Sequence, residues 1–78
     1  MKQIQRVAQK KDGKNWVNTY TDTDEARVYE DLCRDLIHKK LHGASYIRRI
    51  TDDTNWDGTI NITVTYDNGC RSVYTVKS

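Results

Sequence analysis

The sequence predicts an α+β fold: a single small domain ordered ββαβββ, with one helix packed on one face of a mostly antiparallel five-stranded sheet. Three observations carry that expectation. One stretch alone, residues 22–43, repeats its apolar residues at helical spacing. Three look-alike Gly turns, Lys11-Asp12-Gly13, Trp56-Asp57-Gly58 and Asp67-Asn68-Gly69, punctuate the remainder. Between those turns run Val-, Ile-, Thr- and Tyr-rich segments of the kind that suits a pleated, half-buried surface.

The first two strands are expected at about residues 2–10 and 14–21. Asp-Gly suits either a two-residue hairpin or a three-residue loop with Gly in a left-handed G1 bulge. A three-residue loop pairs Ile4 with Tyr20 and Ala8 with Trp16, which gathers those side chains on one face.

The helix follows. Asp22 is a suitable N-cap, and Glu25 stands three residues on, where it completes a capping box. Ala26, Tyr29, Cys33, Leu36, Ile37 and Leu41 form the apolar stripe, with Val28 and Leu32 on its flank. Leu36 falls at the centre of that stripe, so its truncation is expected to harm the fold far more than truncation of Arg34. Glu30 with Arg34 and Asp35 with Lys39 are i,i+4 pairs on the solvent side. His38, Lys39, Lys40 and His42 suit the negative end of the helix dipole, and Gly43 supplies a left-handed stop.

The last three strands are expected at about 45–55, 59–66 and 70–77. Three-residue loops pair Ile50 with Val64, Tyr66 with Cys70, Ile62 with Tyr74 and Ile60 with Val76. The sheet then offers Ile4, Ala8, Trp16, Tyr20, Tyr46, Ile50, Ile60, Ile62, Val64, Tyr66 and Tyr74 to the helix. Arg6 and Arg48 fall on that same face, where each must pair or reach water. Two strand orders, 2-1-3-4-5 and 2-1-5-4-3, both satisfy the connection rules.

With 78 residues, the chain builds one domain, residues 1–78, around one core, and no room remains for a deep closed cavity. No apolar run approaches the ~20 residues of a membrane span, and the N-terminal residues lack a signal-peptide core, so a soluble cytoplasmic protein is expected. Cys33 and Cys70 are then buried thiols, and the Asn61-Ile62-Thr63 sequon is strand composition. The net charge of +2 is too small to imply a polyanion partner. Basic and acidic blocks alternate along the chain, as on an ordinary solvated surface.

Chemistry-bearing patterns are few. The run Asp53-Thr54-Asn55-Trp56-Asp57-Gly58-Thr59-Ile60 matches the first half of an EF-hand calcium loop. The position that needs a bidentate Glu is Val64, and the flanks read as strands, so the run is better explained as a bulged turn. His38 and His42 stand one helical turn apart without a third zinc ligand. Ser45, Ser72 and Ser78 have no recognisable base partner, and no Gly-rich phosphate loop exists. The expectation is therefore a non-enzyme with no catalytic residue, metal, cofactor or small-molecule substrate.

What remains is binding. One helix covers one face of a sheet and leaves the other to solvent or a partner. Val17, Ile47, Arg49, Arg71 and Val73 are expected on that open face, and Trp56 at a loop tip is expected either to fold over the core edge or to anchor a partner. The leading expectation is a protein-binding or accessory module, self-association through the open face included. The alternative is a nucleic-acid-binding module using Arg49, Arg71 and the basic first hairpin of Lys10, Lys11 and Lys14. For the calcium-like run, Asp53→Ala combined with Asp57→Ala is expected to remove no calcium-dependent property. A calcium-induced rise in Tm that the double variant loses would contradict this.

Overall fold

A computed structural model describes residues 3–38 and 47–77, without the side chains of Ile37 and His38. The expectations for Leu41, Tyr46, Ser45, Ser78, the His38–His42 pair, Lys39, Lys40 and the Gly43 stop lie outside the described residues. Five strands and one helix follow in the order β1 (Gln3–Asp12), β2 (Asn15–Asp22), α1 (Glu25–His38), β3 (Ile47–Thr54), β4 (Ile60–Tyr66) and β5 (Cys70–Lys77). The strands form one fully antiparallel sheet in the order β2-β1-β5-β4-β3. Of the two orders that the sequence leaves open, the chain takes the one that places β5 between β1 and β4.

Two of the three hairpins have the expected register. Ile50 pairs with Val64, Ile60 with Val76 and Ile62 with Tyr74. The β3–β4 loop closes as a type I turn with a G1 bulge. Gly58 N–H donates to the Asn55 carbonyl at 3.0 Å, and Asn55 N–H donates to the Thr59 carbonyl at 2.8 Å. Gly58 holds φ at 87°, a backbone shape that a Cβ resists.

The first hairpin differs from expectation. Asp12 pairs with Asn15 across a two-residue loop of Gly13 and Lys14, and a β-bulge follows where the register shifts between Ala8 and Gln9. Ala8 meets Tyr20 and Arg6 meets Asp22, so this end of β2 still faces the helix. Beyond the bulge the alternation is inverted. Trp16 goes to the open face and Val17 to the helix side, the reverse of the expected placement. A second irregularity, between Ile47 and Arg49, does the same for Ile47. Ile47 pairs with Tyr66 and packs against the core rather than lying on the open face.

The helix is also rotated about its axis relative to the expected stripe. Its N-cap is Asp24: the Arg27 N–H donates to Asp24 Oδ1 at 3.2 Å, and the Val28 N–H donates to the Asp24 carbonyl at 2.9 Å. Asp22 instead folds back on the chain, accepting from the Asp24 N–H at 3.0 Å and from the Arg27 guanidinium at 2.7 and 3.0 Å. The buried face consists of Val28, Asp31, Leu32 and Asp35. Tyr29 and Leu36, expected inside, are 63% and 43% exposed, and Ala26 is exposed as well. The cause is polar. Asp31 and Asp35 look like solvent positions in an apolar pattern, yet they have partners inside and draw their side of the helix down.

The core is Val28 and Leu32 against Val64, Tyr66 and Tyr74, with Ile4, Ile47, Ile62 and Cys70 around it. The helix lies over β1 and its central neighbours, leaving Tyr20 on one flank and Ile50 and Ile60 on the other more exposed than the sequence suggests. Cys33 and Cys70 are unbridged and half-buried. Leu32→Ala is expected to cost about 2–5 kcal/mol, because the side chain leaves a cavity under the helix. Leu36→Ala should cost less than about half of that, since much of its surface is already in water. Equal shifts in the urea midpoint would show that the helix face is assigned wrongly.

Candidate functional site

Two groups of polar side chains stand out, one buried and one on the open face. The buried group is centred on Asp35, which is 0% exposed. Its Oδ2 accepts from the Tyr66 hydroxyl at 2.7 Å and from the Tyr74 hydroxyl at 2.6 Å. The Tyr66 hydroxyl also lies 3.2 Å from Ser72 Oγ, and Arg6 Nε donates to that Oγ at 3.1 Å. Arg6 then reaches Asp31, with Nη1 at 3.9 Å from Oδ2, and Arg34 approaches Asp31 from the solvent side at 3.8 Å. The inward Arg6 that the sequence requires to pair does so here. Arg34 also holds Glu30 at 3.0 Å, the i,i+4 pair expected on the helix surface.

Burial drives the electrostatics. Loss of hydration pushes the Asp35 carboxyl above its ordinary value; the two tyrosine bonds and Arg6 oppose this shift without cancelling it. Burial likewise pushes the Tyr66 and Tyr74 hydroxyls up, and the neighbouring Asp35 carboxylate adds to the effect. Asp35 Oδ1 is buried and has no hydrogen-bond partner among the described residues. The group has the ingredients of an acid–base centre, but Asp35, Tyr66, Tyr74 and Ser72 are all buried. The cluster joins helix to sheet.

The exposed group runs across the open face in cross-strand rows. Asn18, Gln9, Arg71, Thr65 and Arg49 are successive partners from β2 to β3. Arg71 Nε donates to Gln9 Oε1 at 2.6 Å, Gln9 Nε2 donates to Asn18 Oδ1 at 2.7 Å, and the Arg71 guanidinium stacks 4.1 Å from the Trp16 ring centre. Trp16 is therefore a lid on Arg71. Partial burial lowers the Arg71 pKa. The next row holds Val7, Val73, Thr63 and Thr51. The apolar streak expected from Val7, Val17, Ile47 and Val73 therefore contracts to Val7 and Val73, both half-buried. Arg49 is exposed on this face, while Arg71 is committed to Trp16 and Gln9.

Trp56 lies where the sequence places it, at the β3–β4 tip, and it is 99% exposed. The loop beneath it is ordered by its own bonds. Beyond the two backbone bonds of the turn, Asp57 Oδ1 accepts from the Thr59 N–H at 2.9 Å. That bond lowers the Asp57 carboxyl pKa and occupies an oxygen that the calcium-like reading would assign to an ion. The basic first hairpin is at the other end of the sheet. Lys10 pairs with Cys70 and Ile47 with Tyr66 at that end, whereas Ile60 pairs with Val76 and Gln3 with Lys77 near Trp56.

A shallow cleft of about 240 Å³ lies between the start of β1, the end of β5 and the helix N-terminus. It is smaller than the ~300 Å³ at which ligand clefts begin. Among the described residues no helix is long and apolar enough to cross a membrane, and no group of three or more His, Cys, Asp and Glu side chains is arranged to hold a metal. No family model, curated protein or solved structure matches the chain.

The cluster and the Asp22–Arg27 pair respond to pH in opposite senses. Arg27 holds the Asp22 carboxyl at about 2, so that contribution is present above the ordinary carboxylate range and is lost as pH falls toward about 2. Asp35 binds its proton more tightly when folded, so its contribution is full at low pH and is lost as pH rises through the elevated folded value. Relative to an Asp35→Asn variant, the parent Tm is therefore expected to fall as pH rises from about 3 toward neutrality. A difference in Tm that stays constant over that range would show that Asp35 does not titrate between the folded and unfolded states.

Proposed function

We propose that this chain is a small non-catalytic protein-binding module, acting in the cytoplasm, whose partner is anchored by Trp56. The observation that carries the reading is the complete exposure of Trp56 on an internally hydrogen-bonded tip. A Trp ring held in water forgoes roughly 1.5–3 kcal/mol of burial, which a partner pocket recovers. Because the turn is already ordered, little loop entropy is lost when the ring docks. Trp is among the residues that most often dominate interface energetics. The rest of the open face supports the same reading from the other side. Its Gln9, Asn18, Arg71, Asn61 and Thr75 side chains are engaged across the strands, which leaves the ring as the most exposed large apolar group.

The nucleic-acid alternative draws on Arg49, Arg71 and the first hairpin. Arg71 is stacked on Trp16, and Lys10, Lys11 and Lys14 lie at the end of the sheet opposite Trp56. A single strand of nucleic acid stacked on Trp56 would have to cross the sheet to reach those lysines.

The test uses the parent and Trp56→Ala as baits for cross-linking in cell extract. The variant should fold with its stability changed by no more than about 0.5 kcal/mol, because the ring touches little of its own chain. Proteins recovered by the parent and lost with Trp56→Ala support the proposal. Identical recovery by both baits would remove Trp56 from the contact. Material sensitive to nuclease, and released steeply by salt, would put the nucleic-acid alternative in its place.

A further inference from the structure

β3 closes one side of the sheet, and its outer edge has no strand beside it among the described residues. The opposite edge, β2, is broken by its bulge. β3 is irregular only between Ile47 and Arg49; from Arg49 to Thr54 its ladder to β4 is continuous. The turn fixes the phase of that ladder. Asn55 N–H donates to the Thr59 carbonyl, so residue 55 directs its backbone groups toward β4. In an antiparallel pair such residues alternate. Residues 53, 51 and 49 therefore also turn toward β4, and Ile50, Asp52 and Thr54 present their N–H and C=O groups to the open edge.

The side chains of that segment are segregated by charge: Arg48-Arg49, then Ile50-Thr51, then Asp52-Asp53. Charges of either sign protect an edge, and nothing in protection alone requires bases at one end and acids at the other. The segregation matters for one partner in particular. A strand of this sequence running the other way sets acid opposite base. Among the described residues neither Arg49 nor Asp53 has an ion partner within its own chain.

We propose that two copies of this chain pair antiparallel through their β3 edges, about a two-fold axis at Thr51, joining the two five-stranded sheets into one. In this register Thr51 meets Thr51 of the partner subunit, and Arg49 meets Asp53 of the partner subunit on the open face, twice by symmetry. These are the non-hydrogen-bonded positions of the new ladder, where side chains approach most closely. Ile50 and Asp52 exchange backbone bonds with their counterparts. An axis at Ile50 would draw on Arg48, which the bulge displaces, and an axis at Asp52 would set two carboxylates against each other. The paired segment is short, so the association is expected in the micromolar to millimolar range and should weaken with salt. Trp56 lies beyond the paired residues, so the dimer does not depend on the function proposed for the ring.

Sedimentation equilibrium at low salt tests the proposal. The parent is expected to dimerise as concentration rises, while Arg49→Asp and Asp53→Arg, each alone, associate at least about tenfold more weakly. An equimolar mixture of the two variants should recover the dimer, because one then carries acid and the other base at both positions. Far-UV spectra matching the parent confirm that the exposed substitutions leave the sheet intact. A parent that stays monomeric, single variants that associate as the parent does, or a mixture no stronger than its components would each overturn the proposal.

Discussion

The carboxyl of Asp35 is the point on which this structure depends. It sits at the contact between the helix and the sheet, wholly buried, and two tyrosine hydroxyls from adjacent strands converge on one of its oxygens. Removing a carboxyl from water is costly unless its bonds are replaced, and the replacements here come from β4 and β5. A helix that slid or turned would forfeit both bonds at once. The apolar part of the contact, Val28 and Leu32 against Val64, is small and tolerates rotation more readily than this pair of directed bonds. In a chain of this size, with few large side chains to spare, a directed polar contact specifies the helix's orientation beyond what a greasy stripe achieves.

Much else follows from that orientation. With Asp31 and Asp35 turned inward, Arg6 gains a partner and Ser72 joins the bridge to Tyr66. The same rotation carries Leu36 and Tyr29 toward solvent. Because the helix lies over β1 and its neighbours, the two outer strands have no strand on their outer flanks among the described residues. One of those strands, β3, has the longer regular free edge, and at its end the chain turns at Trp56. The features open to partners therefore gather on the side of the sheet farthest from β2.

The open face shows how an uncovered sheet remains tolerable. Beside the exposed Arg49 and Asp53, it ties long polar side chains to one another across the strands: Asn18 to Gln9, Gln9 to Arg71, Arg71 onto Trp16, and Asn61 to Thr75. Such ladders cover Val7 and Val73 with the stems of their neighbours. They also occupy donors that a nucleic acid or a second sheet would otherwise use.

The sequence by itself determined the order of the elements, the antiparallel pairing of the last three strands and the place of Trp56 at the β3–β4 tip, though not its exposure. These depend on local chemistry: Gly in left-handed turns, alternation on either side of them, and one stretch with helical spacing. The pairing of Ile62 with Tyr74 was legible because shifting it by one residue turns a whole set of apolar side chains to water. Only the tertiary structure decided which side of the helix is buried, which of the two strand orders is taken, and where Trp16, Val17 and Ile47 point. Asp31 and Asp35 carry no apolar signal, so their inward placement becomes visible only when Arg6, Tyr66 and Tyr74 arrive from strands distant in sequence. The bulges in β2 and β3 are single-residue shifts that no turn motif announces, and each inverts the faces of the residues beyond it.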